Sequence, residues 1–102
     1  MAKLEITLHT KDGDVTYKQE HISGQKLIDY LKMESDIESA KGLSLADNIE
    51  KRVTFIAGLF PDSAGVTPET VINGLDAWEI YGTINKLFRV INGEEDDNSK
   101  KE

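Results

Sequence analysis

The chain has 102 residues, no cysteine, and 19 acidic against 12 basic side chains, which gives a formal net charge of -7. This length is typical of one domain with one core, and the absence of cysteine excludes a disulfide framework, a thiolate nucleophile and a cysteine-based zinc site. The acidic balance opposes direct binding to nucleic acid or to anionic membranes, because both require a cationic surface.

The N-terminal residues, 1–20, have the pattern of a β-hairpin. Polar and apolar side chains alternate along two runs, at the period of two that is expected for half-buried strands. The apolar members of these runs are Leu4, Ile6, Leu8, Val15 and Tyr17. Asp12-Gly13 lies between the runs and favours a tight turn. Because an isolated hairpin is only marginally stable in water, this one must pack on helices or pair its edge with another copy.

About four helices are expected in the remaining body, residues 23–93. Ser23 is expected to cap a first helix that runs to about Lys41, and Ser44 is expected to cap a second that runs up to Pro61. The apolar side chains that share one face of the first helix are Leu27, Tyr30 and Leu31. The second helix has a core stripe at helical spacing, formed by Leu45, Ile49, Val53, Ile56 and Phe60.

Two further helices have distinct start signals. Thr67 as cap and Pro68 at the first helical position begin a short third helix. Asp76 and Glu79 form the aspartate variant of a capping box, which begins the last helix, and Gly93 ends it. The apolar face of this last helix comprises Ala77, Ile80, Tyr81, Ile84, Leu87, Phe88 and Ile91.

These elements predict an α+β, mostly α fold, in which a hairpin (1–20) precedes a small helical bundle (23–93) in a single domain. Residues 94–102 are charged and lack apolar side chains, so we expect a disordered acidic tail there. No apolar run approaches the roughly 18 residues of a membrane span, and the N-terminal residues do not have the pattern of a signal peptide. We therefore expect a cytoplasmic protein.

The sequence contains no arrangement typical of catalysis, cofactor binding or metal binding, and we expect a non-enzymatic protein. Serine, histidine and aspartate are scattered, and neither a phosphate-binding loop nor a nucleophile turn occurs. His9 and His21 have no second ligand at metal spacing, so a metal site would have to be built from distant carboxylates. The predicted first helix contains three acidic residues close together, Glu34, Asp36 and Glu38. A solvent-exposed helix face is a better interpretation of this cluster than a site of acid catalysis.

Three aromatic side chains are the candidate partner-binding residues: Phe55, Trp78 and Tyr81. At about 100° per residue, Trp78 lies on the opposite flank of the last helix from Leu87, and Phe55 lies to the side of the second helix's core stripe. Aromatic side chains dominate the binding energy of many protein interfaces. The alternative is burial within the fold, because four helices and a hairpin surround these side chains on more than one side.

The order of elements resembles that of the tail assembly chaperones of long-tailed bacteriophages and prophages. The likeness covers the hairpin that begins with residues 3–8 (KLEITL), the helical body with segment 66–77 (VTPETVINGLDA), the final amphipathic helix and the charged end. The resemblance implies a protein of the host cytoplasm, absent from the mature virion, that binds the tape-measure protein and keeps it soluble. It further implies that the protein helps to recruit tail-tube subunits and that it self-associates.

Two other functions remain open at this point. An acidic inhibitor could imitate nucleic acid and block a basic site on a partner, which the net charge permits, although part of the acidic excess lies in the tail. A small enzyme would require a concave pocket with convergent polar groups. Partner binding that weakens steeply with added salt would indicate the acidic inhibitor, whereas weak salt dependence would indicate a chaperone that uses apolar contacts.

Overall fold

The computed structural model describes residues 4–94, which form an antiparallel hairpin followed by four helices, as the sequence predicts. The elements are β1 (Leu4–Thr10), β2 (Gly13–Gln19), α1 (Gly24–Ser39), α2 (Leu45–Ala57), α3 (Pro68–Gly74) and α4 (Ile80–Ile91), with 3₁₀ turns at Asp62–Ala64 and Ala77–Glu79. We call the second of these turns the pre-α4 turn. Apart from Glu94, the predicted acidic tail lies outside the described residues.

The hairpin has one apolar face and one polar face. Leu4, Ile6 and Leu8 are buried, as their alternation predicts. On the opposite face, side chains pair across the two strands: Thr7 Oγ1 lies 2.8 Å from Thr16 Oγ1, and equivalent pairs flank it on both sides. The buried face packs against α3 and α4. The marginal two-stranded sheet is therefore stabilised by helices within the same chain.

The core joins the hairpin to all of the helices except α1. Among the side chains that the structure describes, every buried one is apolar. The buried set is Leu4, Ile6, Leu8, Val53, Ile56, Ala57, Leu59, Phe60, Val71, Ile84, Leu87 and Phe88. Removal of this apolar surface from water is the main favourable contribution to folding.

Three helix starts have the capping interactions that the sequence predicts. Ser44 Oγ accepts from the Asp47 backbone N–H at 3.0 Å, and Asp76 and Glu79 form a capping box. Thr67 is also the cap of α3, but its reciprocal partner is Thr70, three residues on. The fourth start differs, because Ser23 occupies the cap position of α1 without a side-chain capping bond.

Helix α2 ends earlier than its apolar stripe suggests. The helix ends at Ala57, and the Leu59 and Phe60 N–H groups donate to carbonyls three residues back, at 3.0 and 3.3 Å. These tighter bonds close the last turn in the 3₁₀ manner. Leu59 and Phe60 are nevertheless buried, so the apolar side chains beyond the helix still contribute to the core.

Three leucines on the predicted apolar faces are exposed. Leu27 and Leu31 of α1 are 37% and 53% exposed, and Leu45, in the first turn of α2, is 76% exposed. Helical periodicity identifies the face of a helix that is apolar, but it does not determine how far along that face the core extends. These three side chains lie on the apolar side of their helices, outside the region that other elements cover.

Helix α1 is attached to the body by an ion pair and an aromatic contact. The Arg52 guanidinium of α2 donates to both carboxylate oxygens of Glu34 in α1, with 3.0 Å between Nη2 and Oε1. Arg52 Nε also donates to Asn48 Oδ1 at 2.7 Å, and its Cζ lies 5.8 Å from the Phe88 ring centroid. The Tyr30 ring packs edge-on against Phe88, with 4.7 Å between centroids. Glu34 is therefore paired and half-buried, whereas the sequence predicted a solvated acidic face.

Gly74 allows a close contact between α3 and the hairpin. A Cβ atom placed on Gly74 would lie 2.8 Å from Leu8 Cβ and 3.4 Å from the His9 carbonyl oxygen. Carbon atoms pack most favourably at about 3.5–4.0 Å, so a side chain at position 74 would force α3 away from β1. The glycine thus holds the C-terminal end of α3 against the strand.

We predict that Gly74→Ala destabilises the fold by about 1–3 kcal/mol, the usual cost of inserting a methyl group into a tightly packed site. Chemical denaturation followed by circular dichroism measures this change. Gly82→Ala is the matched control, because a Cβ there, in the first turn of α4, meets no atom within 4 Å. The control should be more stable than the wild type by up to about 1 kcal/mol, since alanine favours helix. Equal effects of the two substitutions would contradict the close contact.

Candidate partner-binding surface

The pre-α4 turn is a short segment whose backbone is fixed by its own side chains. The Asp76 backbone N–H donates to Glu79 Oε1 at 2.8 Å, and the Asp76 side chain accepts in return from the backbone of Glu79. Such reciprocal bonds satisfy donors that a helix start leaves unpaired. The residues between them are consequently presented in one defined orientation.

Trp78 lies within this fixed turn and points into solvent. Its side chain is 83% exposed, and Tyr81, three residues later at the start of α4, is 62% exposed. Residues three apart on a helix are neighbours on its surface, and we call these two exposed rings together the aromatic surface. Large exposed apolar patches are typical of interaction sites, because their burial in a partner is strongly favourable.

Phe55 occupies a different environment from the other two candidates. It is half-buried and packs against the core, with its ring centroid 6.0 Å from that of Tyr30 and 6.1 Å from that of Phe88. The structure thus exposes both Trp78 and Tyr81 near the start of α4, whereas it places Phe55 in a separate aromatic cluster between α1, α2 and α4.

One edge of Phe55 also lines an open groove between α1 and α2. The groove has a volume of about 660 Å³. Its apolar lining is Met33, Leu43 and Phe55, and its polar lining is Asp36, Asp47, Glu50, Lys51 and Thr54. This combination suits a partner with an apolar ridge flanked by basic side chains. The ridge would contact the apolar lining, and the basic side chains would pair with the excess of acidic side chains.

A polar cluster beside Trp78 joins the hairpin to the pre-α4 turn. His9 Nδ1 lies 2.7 Å from Asp14 Oδ1, while His9 Nε2 lies 3.7 Å from Asp76 Oδ2 and 3.4 Å from Glu79 Oε1. Since an ionised carboxylate can only accept hydrogen bonds, the imidazole of His9 donates a hydrogen bond from Nδ1 to Asp14. Sequence spacing could not reveal this cluster, because its members come from the hairpin and from the start of the last helix.

The surrounding carboxylates alter the titration of His9. The hydrogen bond that His9 donates to Asp14 and the negative charge of that carboxylate raise the pKa of His9 above its ordinary value of 6.5, and Asp76 and Glu79 act in the same direction. The folded state therefore holds the proton more tightly than the unfolded chain. This pairing stabilises the fold fully below pH 6.5, and its contribution is lost as the pH rises through the raised pKa.

Within residues 4–94, no helix combines the length and the apolar character that crossing a membrane requires.

We predict that Asp14→Asn lowers the pKa of His9 toward its ordinary value, because the substitution removes the nearest negative charge and the strongest acceptor. A pH titration of the histidine ring signals by NMR, in buffer that contains a chelator, measures the shift. Asp12→Asn is the control, since Asp12 lies in the same hairpin turn and has no part in the pKa shift of His9. An unchanged His9 pKa in Asp14→Asn would contradict the assigned pairing.

Comparison with known protein families gives one match over the whole chain. A family model described as "phage tail chaperone protein" matches residues 1–102. Comparison with curated proteins and with solved structures finds no match. The family match confirms the resemblance that the order of elements suggests.

Proposed function

The chain belongs to the phage tail chaperone family, and on that basis we propose that it binds the tape-measure protein and helps to recruit tail-tube subunits during tail assembly. Membership of a chaperone family indicates a non-enzymatic role in the assembly of phage tails. We place this role in the cytoplasm of the bacterial host, with the chaperone absent from the mature virion.

The aromatic surface is the observation that best supports the proposal. Trp78 and Tyr81 are the two most exposed aromatic side chains among residues 4–94, and Trp78 lies in a turn fixed by a capping box. A rigid aromatic pair loses little conformational freedom when it binds, because its backbone is already ordered. We propose that these rings insert between apolar side chains of a tape-measure helix, with Phe55 in the α1–α2 groove as a second contact.

Repeated binding along one long partner explains why a modest surface is sufficient. Many copies on linked sites give high overall avidity, although each contact is weak enough to release. The exposed side chains Leu27, Ile28 and Leu31 on α1 offer a further apolar face, and we propose that neighbouring copies touch through it. The net charge of -7 then keeps the coated complex soluble through mutual repulsion.

Co-expression with the tape-measure protein tests the proposal directly. We expect the soluble fraction of the tape-measure protein to increase when this chain is present, and the two proteins to co-purify. Binding should depend only weakly on salt concentration, because the main contact, the aromatic surface, is apolar. No gain in solubility would refute the chaperone function, and a steep loss of binding with added salt would favour the acidic-inhibitor alternative.

We predict that Trp78→Ala and Tyr81→Ala each weaken binding to the tape-measure protein by about 2 kcal/mol, or roughly thirtyfold in Kd, as expected for aromatic hot spots. Titration calorimetry with a soluble tape-measure fragment measures the change. Circular dichroism should be unaltered, because both side chains are exposed.

Leu45→Ala is the matched control for this prediction. Leu45 is almost as exposed as Trp78, but it lies in the first turn of α2. Its removal should leave the Kd unchanged. An equal loss of affinity in all three variants would show that binding depends on general surface apolarity, and a large loss of helicity in Trp78→Ala would assign that side chain to the fold.

A further inference from the structure

Three potential metal ligands converge where the hairpin meets the pre-α4 turn. His9 Nε2, an oxygen of Asp76 and an oxygen of Glu79 all lie within 4.8 Å of one another. His9 Nε2 lies 3.7 Å from Asp76 Oδ2 and 3.4 Å from Glu79 Oε1. Around a tetrahedral ion with bonds of about 2.1 Å, neighbouring ligand atoms are about 3.4 Å apart. The side chains therefore need only small movements to coordinate one ion.

The orientation of the imidazole favours a cation at this position. Asp14 accepts the Nδ1 proton at 2.7 Å, so in the neutral ring the lone pair is on Nε2 and faces two carboxylate oxygens. Three electron-pair donors that face each other repel unless a positive charge lies between them, and either a proton on Nε2 or a bound cation can provide that charge. A carboxylate on the far nitrogen of the ring is also the usual partner of a histidine that binds zinc, because it fixes the tautomer and strengthens the ligand.

We propose that His9, Asp76 and Glu79 form a binding site for a divalent transition-metal ion of the zinc type, with Asp14 as the positioning residue. One imidazole and two carboxylates match the nitrogen and oxygen ligands that zinc accepts, and water completes the coordination because the three side chains are 39–46% exposed. Calcium and magnesium prefer ligand sets made of oxygen alone. The site is independent of which protein the chaperone binds.

An ion at this position would connect two parts of the chain that otherwise meet through apolar packing and the ion pairs of His9. His9 belongs to β1, whereas Asp76 and Glu79 bracket the turn that presents Trp78. Coordination would add a strong cross-link between the hairpin and that turn. The orientation of the Trp78 ring would then depend on the metal as well as on the capping box.

Titration calorimetry with zinc chloride tests the proposal on the full chain, in buffer with excess magnesium to occupy isolated carboxylates. We expect one zinc ion per chain. His9→Asn, Asp76→Asn and Glu79→Gln should each weaken zinc binding by about tenfold or more, and Asp14→Asn by about tenfold. Asparagine can still cap a helix and glutamine can still complete a capping box, so these substitutions preserve the turn.

His21→Asn is the matched control, because His21 is the other histidine and lies outside the cluster. It should bind zinc like the wild type. NMR of the wild-type chain gives a readout that needs no variant: zinc should shift the ring signals of His9 and leave those of His21 in place. Undiminished binding in His9→Asn, an equal loss in His21→Asn, or no zinc binding by the wild type would overturn the proposal.

Discussion

The contact between Gly74 and Leu8 determines where the candidate functional side chains lie. At this point α3 approaches β1 so closely that a Cβ atom on residue 74 would be 2.8 Å from Leu8 Cβ. The pre-α4 turn begins three residues later, so the contact brings that turn beside the polar face of the hairpin. Because residue 74 is a glycine, α3 can approach β1 this closely. The position of Trp78 and the short distance between His9 and Glu79 both depend on that approach.

Local features of the fold could be predicted from sequence because their causes are local. The alternation that ends at Leu8 determines the buried face of the hairpin, and the capping residues Ser44 and Asp76 mark helix starts through bonds to residues only three positions away. The family resemblance also rests on the order of such elements. None of these signals requires knowledge of how the helices pack.

Most of the features that sequence reasoning missed require tertiary contacts. The sequence around Glu34 predicts a solvated carboxylate, because it does not show that Arg52 of the next helix lies opposite. Helical spacing likewise predicts that Leu45 is a core residue, because it does not show where the core ends. The cluster around His9 joins residues that are distant in the chain, so no spacing rule could detect it. Position on the helix correctly predicts that Trp78 lies outside the core. The same kind of argument fails for Phe55, which packs against the core.

Helix α1 is held less firmly than the other elements of the molecule. None of the described side chains of α1 is fully buried, and the bidentate pair from Arg52 is within reach of water. Segments held in this way open at a lower free energy than the whole domain, and they exchange their amide hydrogens sooner. We therefore expect the hairpin with α2, α3 and α4 to remain folded when α1 opens. Such an opening of α1 would separate the Tyr30 ring from those of Phe55 and Phe88 and bring all three rings into contact with water.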